Sequence, residues 1–126
     1  MHTFRKEERL CGKKNIQGLF SRGKSFYLYP FKVYWIDGNA DSSYPARVLI
    51  SVSKRTIRLA VRRNLLKRRM REAYRRNKAF YYDYLTSRDK HFYLGIVYIG
   101  KESISYAEIE QKIIQILKRL LAECKN

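Results

Sequence analysis

Residues 46–78 read ARVLISVSKRTIRLAVRRNLLKRRMREAYRRNK and change period partway along. As far as Ser53 the side chains alternate, Val48, Ile50 and Val52 against Leu49, Ser51 and Ser53, which is the period of a strand with two unlike faces. Beyond it Leu66, Met70, Ala73 and Tyr74 recur at three- and four-residue spacing, the mark of a helix with one apolar stripe. The pattern predicts a helix from about Ile57 to about Lys78, with Thr56 placed to cap it. A strand that runs into an amphipathic helix places the chain among the α+β domains, in which helices pack on a small sheet.

The flanking sequence extends that plan. Upstream, Phe26 to Ile36 (FYLYPFKVYWI) is aromatic and β-branched, so it favours strand, while Pro30 cannot donate to a ladder and marks an edge or a break. Phe31, Val33 and Trp35 share one face and Lys32, Tyr34 and Ile36 the other. The loop DGNADSSYP then leads into the strand at residues 46–53, and the two strands are expected to pair. Lys13 to Arg22 reads as a short helix, because Ile16, Leu19 and Phe20 repeat at helical spacing and Gly23 stops it. Downstream, HFYLGIVYI reads as a buried strand. Ser105 and Glu108 form an S-x-x-E capping box ahead of Ile109, Ile113, Ile116, Leu117, Leu120 and Leu121. No repeat, low-complexity tract or Pro/Gly-rich linker interrupts residues 1–126, which are expected to form one domain ordered helix, strands, helix, strand, helix.

Charge says more about function than the fold does. Lys and Arg number 28 against 11 Asp and Glu, a net +17, yet 45% of residues are hydrophobic, enough for a packed core. Between Lys54 and Lys78 lie twelve of the basic residues and a single acid, Glu72. On a wheel of about 100° per residue, Asn64, Lys67, Arg68, Arg71, Arg75 and Lys78 fall opposite Leu66, Met70 and Ala73. An ordinary solvated helix face mixes signs; this one would repel itself without a polyanion, and guanidinium suits phosphate oxygens. A nucleic-acid partner follows. Glu72 is placed to orient Arg68 or Arg76, each one helical turn away.

Other classes lose ground on the same residues. No apolar run approaches the roughly 20 residues that span a bilayer, so no membrane partner is expected, and no secretory hydrophobic region opens the chain, so a cytoplasmic home is. Cys11 and Cys124 stand alone and read as packing residues, and His2 and His91 as ordinary surface histidines. Acids are scattered, no H-x-E or paired-His pattern exists, and no Gly-rich phosphate loop precedes a helix, so no catalytic set and no metal site of the protein's own is expected.

The stretch ISVSKRTIRLAVRRNLLKRRMREAYR resembles the signature of the bacterial ribonuclease P protein family, whose core reads approximately A-V-x-R-N-x-x-K-R-x-x-R-E. Ala60, Val61, Arg63, Asn64, Lys67, Arg68, Arg71 and Glu72 match it in spacing, and Arg9, Leu10, Phe20 and Gly23 sit as in the family's opening. The sequence departs from the pattern in three places. It lacks a glycine between Lys54 and Ala60, has Ile16 where an aromatic is common, and has Leu65 where a basic residue is common.

The resemblance implies a mixed four-stranded sheet with a left-handed βαβ crossover, the ribosomal protein S5 domain 2-like arrangement, against the usual right-handed preference. It implies docking on ribonuclease P RNA through Arg63, Asn64, Lys67, Arg68, Arg71 and Arg75. It also implies a cleft for the single-stranded 5′ leader of precursor tRNA, formed here by Ile16, Phe20, Tyr34 and Ser51. Phe20 and Tyr34 suit unpaired bases, since stacking tolerates any base. In such an enzyme the RNA and Mg²⁺ hydrolyse the phosphodiester, leaving a mature tRNA 5′ end, and the isolated protein needs no cofactor. DNA is not an expected partner. The alternative is a structural or ribosomal RNA-binding protein with no enzymatic role.

Overall fold

The computed structural model describes residues 4, 6–38 and 44–124. A 3₁₀ turn (Lys6–Glu8) leads into α1 (Lys13–Arg22), the hairpin β1 (Lys24–Leu28) and β2 (Phe31–Asp37), then β3 (Ala46–Val52). After these come α2 (Ala60–Asn77), α3 (Ala79–Ser87), β4 (Phe92–Tyr98) and α4 (Tyr106–Cys124). The chain is a single α+β domain around one mixed sheet in the order β1-β2-β4-β3, in which β3 and β4 are parallel and the other pairings antiparallel.

The break expected at Pro30 is a turn at Tyr29–Pro30, where the peptide bond is cis, and it divides the stretch Phe26 to Ile36 between two paired strands. The expected pairing of that stretch with residues 46–53 is not made. β4 lies between β2 and β3 and bonds to both, because an apolar run without alternation is what a strand covered on both faces needs. Phe31, Val33 and Trp35 of β2, Val48 and Val52 of β3, and Phe92, Leu94, Ile96 and Tyr98 of β4 turn to one face. There they join Leu66, Met70, Ala73 and Tyr74 of α2 and Ile109, Ile113, Ile116, Leu117 and Leu120 of α4 in a single core.

Local chemistry explains the helix ends. The Gly23 N–H closes α1 on the Leu19 carbonyl, 3.0 Å away. At the start of α4 the Glu108 N–H donates to Ser105 Oγ at 3.2 Å, half of the capping box. Thr56 does not cap α2. The Ile57 N–H bonds the Ser53 carbonyl and the Thr56 hydroxyl leans on the same carbonyl, so 53–57 is a turn and the helix begins three residues later, at Ala60. It also ends at Asn77, whose amide folds back on the Ala73 carbonyl (2.8 Å) and reaches Glu110 of α4 (3.0 Å). A separate helix, α3, follows that the sequence pattern does not announce.

Cys11 is exposed rather than packed, and His91 is half-buried rather than on the surface. The surface position expected of His2 and the packing expected of the Cys124 side chain lie outside the described residues, as does part of the loop DGNADSSYP. Among the described residues no helix is long and apolar enough to cross a membrane.

Candidate nucleic-acid interface

Two surfaces carry the residues that the sequence singles out. The first is the sheet face away from the main core. Tyr34 of β2, Gly95 of β4 and Leu49 of β3 form one cross-strand row there, and Lys32, Val97 and Ser51 form the next. α1 lies across this face, with Leu19 fully buried above Gly95. A Cβ on Gly95 would stand 3.0 Å from Leu19 Cδ2, 3.7 Å from Tyr34 Cβ and 3.9 Å from Phe20 Cζ, so the missing side chain is what lets the helix settle against the strands.

That seating brings Phe20 against Tyr34, ring centroids 4.6 Å apart and edge to face at 76°. Phe20 remains 40% exposed, so its ring is not consumed by the core. Ile16, one turn earlier on α1, is half-buried, and Ser51 is half-buried on β3 on the same sheet face. Sequence reasoning missed two neighbours. Lys32 Nζ lies 5.0 Å from the centroid of Tyr34 and 5.0 Å from that of Tyr27 on β1, and the two phenols hold its ammonium above the usual lysine range. The signal was present in the hairpin, which pairs Tyr27 with Lys32, but reading it required placing the turn at Tyr29–Pro30.

The second surface is the outer side of α2, whose buried stripe belongs to the opposite core. Asn64 and Arg68 are exposed there, and Lys67 and Arg71 are half-buried. Arg68, Arg69, Arg71 and Arg75 line a depression of about 520 Å³ together with Glu72, Leu65 and Tyr106, and with Phe4 and Arg9 from the N-terminal segment. Five guanidiniums thus surround one carboxylate. That carboxylate belongs to Arg75 rather than to Arg68 or Arg76: Arg75 Nε donates to Glu72 Oε2 at 3.0 Å and its terminal nitrogen to Oε1. This bidentate pair holds Glu72 below the usual carboxylate range and Arg75 above its own.

Two of the basic residues are engaged within the protein itself. Arg63 turns back toward the start of the helix, its Nη1 donating to the carbonyls of Ile57 (3.0 Å) and Arg58 (2.7 Å), and so fastens the turn before α2. Lys78 leaves the basic face altogether. It is buried between α2 and α3 in an ion pair with Glu8, which also accepts from the Tyr82 hydroxyl at 2.8 Å. Arg69, which the helical wheel leaves off the basic face, ties α2 to the entry of α4 through the Ile104 carbonyl at 2.8 Å.

The family described as Ribonuclease P matches residues 4–121 of this chain. The ribonuclease P protein component of Porphyromonas gingivalis is 33% identical over 115 residues, covering 91% of this chain and 84% of that protein. The component from Petrotoga mobilis is 30% identical over 123 residues, covering 95% and 97%. Among solved structures, the RNase P protein from Thermotoga maritima superposes with a TM-score of 0.70 at 28% identity, covering 89% of this chain and 96% of that one.

Proposed function

Because the chain belongs to the ribonuclease P protein family, and so forms part of an endoribonuclease holoenzyme with ribonuclease P RNA, we propose that it holds the two RNAs of the reaction on separate surfaces. The outer side of α2, with Asn64, Lys67, Arg68, Arg71 and Arg75, docks on the catalytic RNA; guanidinium forks and ammonium groups meet phosphate oxygens there. Phe20 and Tyr34, with Ile16 one turn earlier on α1 and Ser51 two strands across the same sheet face, take the single-stranded 5′ leader of precursor tRNA. The protein lowers repulsion between the two RNAs and favours precursor over product, since only the precursor has a leader.

Bond cleavage belongs to the RNA and its Mg²⁺ in this reading. A structural RNA-binding protein outside any enzyme, the alternative reading, does not fit membership of this family.

One observation carries the proposal: an aromatic pair, half open to solvent, lies on the sheet face opposite the core to which α2 contributes its apolar stripe. The test is holoenzyme affinity for precursor and for mature tRNA. Replacing Phe20 and Tyr34 together by Ala should weaken binding of leader-bearing tRNA by about 1–3 kcal/mol for each base left unstacked, and leave mature tRNA nearly unchanged. Equal losses on both, in a protein shown to be folded by circular dichroism, would refute the leader cleft.

A further inference from the structure

The aromatic surface does not end at Tyr34. Tyr27 stands on β1, the outermost strand on that side of the sheet, and is 63% exposed. Its cross-strand partner is Lys32, and both side chains belong to the face that α1 covers farther in. The ammonium of Lys32 bridges the Tyr27 and Tyr34 rings. Among the described residues no carboxylate forms an ion pair with it. From α1 outward the order is therefore Phe20, Tyr34, Lys32, Tyr27: two aromatic platforms separated by one uncompensated positive charge.

Packing gives Tyr27 no reason to be aromatic, since most of its ring faces solvent. Single-stranded RNA does give one. Successive bases are bound on successive rings while cations follow the phosphates between them. We infer that Tyr27 and Lys32 form an outer leader subsite, in which Tyr27 stacks the base beyond the one held at Tyr34 and Lys32 contacts the phosphate joining those nucleotides. This rests on the leader-cleft reading above and extends it: the bound leader crosses the sheet face from α1 to the edge strand β1. Stacking on one open ring favours purines over pyrimidines by their larger π-face, so the outer position prefers a purine.

The experiment uses reconstituted holoenzyme and a series of precursor tRNAs whose leaders grow one nucleotide at a time, with mature tRNA as reference. For the unaltered protein, affinity should keep rising for at least one nucleotide after the gain that depends on Phe20 and Tyr34. Tyr27→Ala should remove that last gain, about fivefold or more, the lower end of one base–aromatic stack, and Tyr27→Phe should keep it. Lys32→Gln should reduce the same gain and lessen its salt dependence. Neither change should affect mature tRNA or the shortest leaders.

If Tyr27→Ala leaves the length dependence intact while Phe20→Ala with Tyr34→Ala abolishes it, the outer subsite is wrong and the cleft stands. If both sets of variants leave it intact, both readings fall. Losses equal for mature and precursor tRNA would overturn the inference by placing Tyr27 and Lys32 against ribonuclease P RNA.

Discussion

Glu72 is the single acid among the basic residues between Lys54 and Lys78, and its position beside Arg75 decides how much of the docking face is free. A carboxylate bound bidentately by one guanidinium competes with phosphate for that guanidinium. Glu72→Gln should therefore release Arg75: RNA binding should tighten at low salt, and the log–log slope of affinity against salt should steepen by up to about 0.7–0.9, the share of one phosphate. Cleavage should survive, and normal RNA binding with cleavage abolished would give Glu72 a chemical role. The sign with pH follows from the lowered carboxyl. The pair is complete above the ordinary carboxylate range and is lost as pH falls through Glu72's depressed value, which Arg75 holds below that range. That Glu72 would pair within one turn was legible in the spacing. Which arginine it would choose was not, because Arg68, Arg75 and Arg76 are all within reach and rotamers decide among them.

Elements are joined here by groups far apart in sequence. Glu8 and Lys78 are both buried, and Tyr82 donates to Glu8 while accepting from Tyr74 at 3.0 Å, so the 3₁₀ turn, α2 and α3 share one polar knot. The knot holds the N-terminal segment where Arg9 pairs with Val48 and reaches the docking depression. Lys78→Met should take the ammonium away from the buried Glu8 carboxylate, which keeps the Tyr82 hydroxyl, and cost up to about 3–5 kcal/mol, whereas adding Glu8→Leu should recover most of it. Thermal unfolding of both variants beside the unaltered protein measures the difference; a Lys78→Met protein as stable as the unaltered one would show that the pair contributes nothing. Such a knot is invisible in sequence, where Lys78 reads as one more residue of a basic face. The elements themselves were more legible. The period of α1, the Ser105 cap of α4 and the two faces of β2 are local patterns, and each appears as read. Strand order is not local: alternation says which residues share a face, not which strand lies beside them. The one available hint was the unbroken apolar run of β4, which suits a central strand.

For the whole molecule the governing quantity is a net charge of +17 on 126 residues, which opposes compaction of the free protein and favours its complex with RNA. The residues that bind phosphate should then be ones that strain the protein alone. This opposition gives a test that a core substitution cannot mimic. Lys67, Arg68 and Arg71 lie on the outer side of α2 and make no ion pair among the described residues. Arg63 is better left intact, because its bonds to Ile57 and Arg58 hold the turn before the helix and its removal would confound binding with folding. Replacing Lys67, Arg68 and Arg71 together by Ala should raise the melting temperature at low salt, since repulsion is relieved and alanine favours helix. The repulsive part of that gain should fade by about 1 M salt, where the screening length falls to roughly 3 Å. The same protein should bind ribonuclease P RNA more weakly, its log–log salt slope reduced by about 0.7–0.9 for each phosphate no longer neutralised. Assembly with the RNA, and hence activity on every precursor, should fall together. A folded triple variant whose salt slope is unchanged would show that RNA docks elsewhere, and a variant less stable than the parent at low salt would show that these side chains serve packing rather than phosphate.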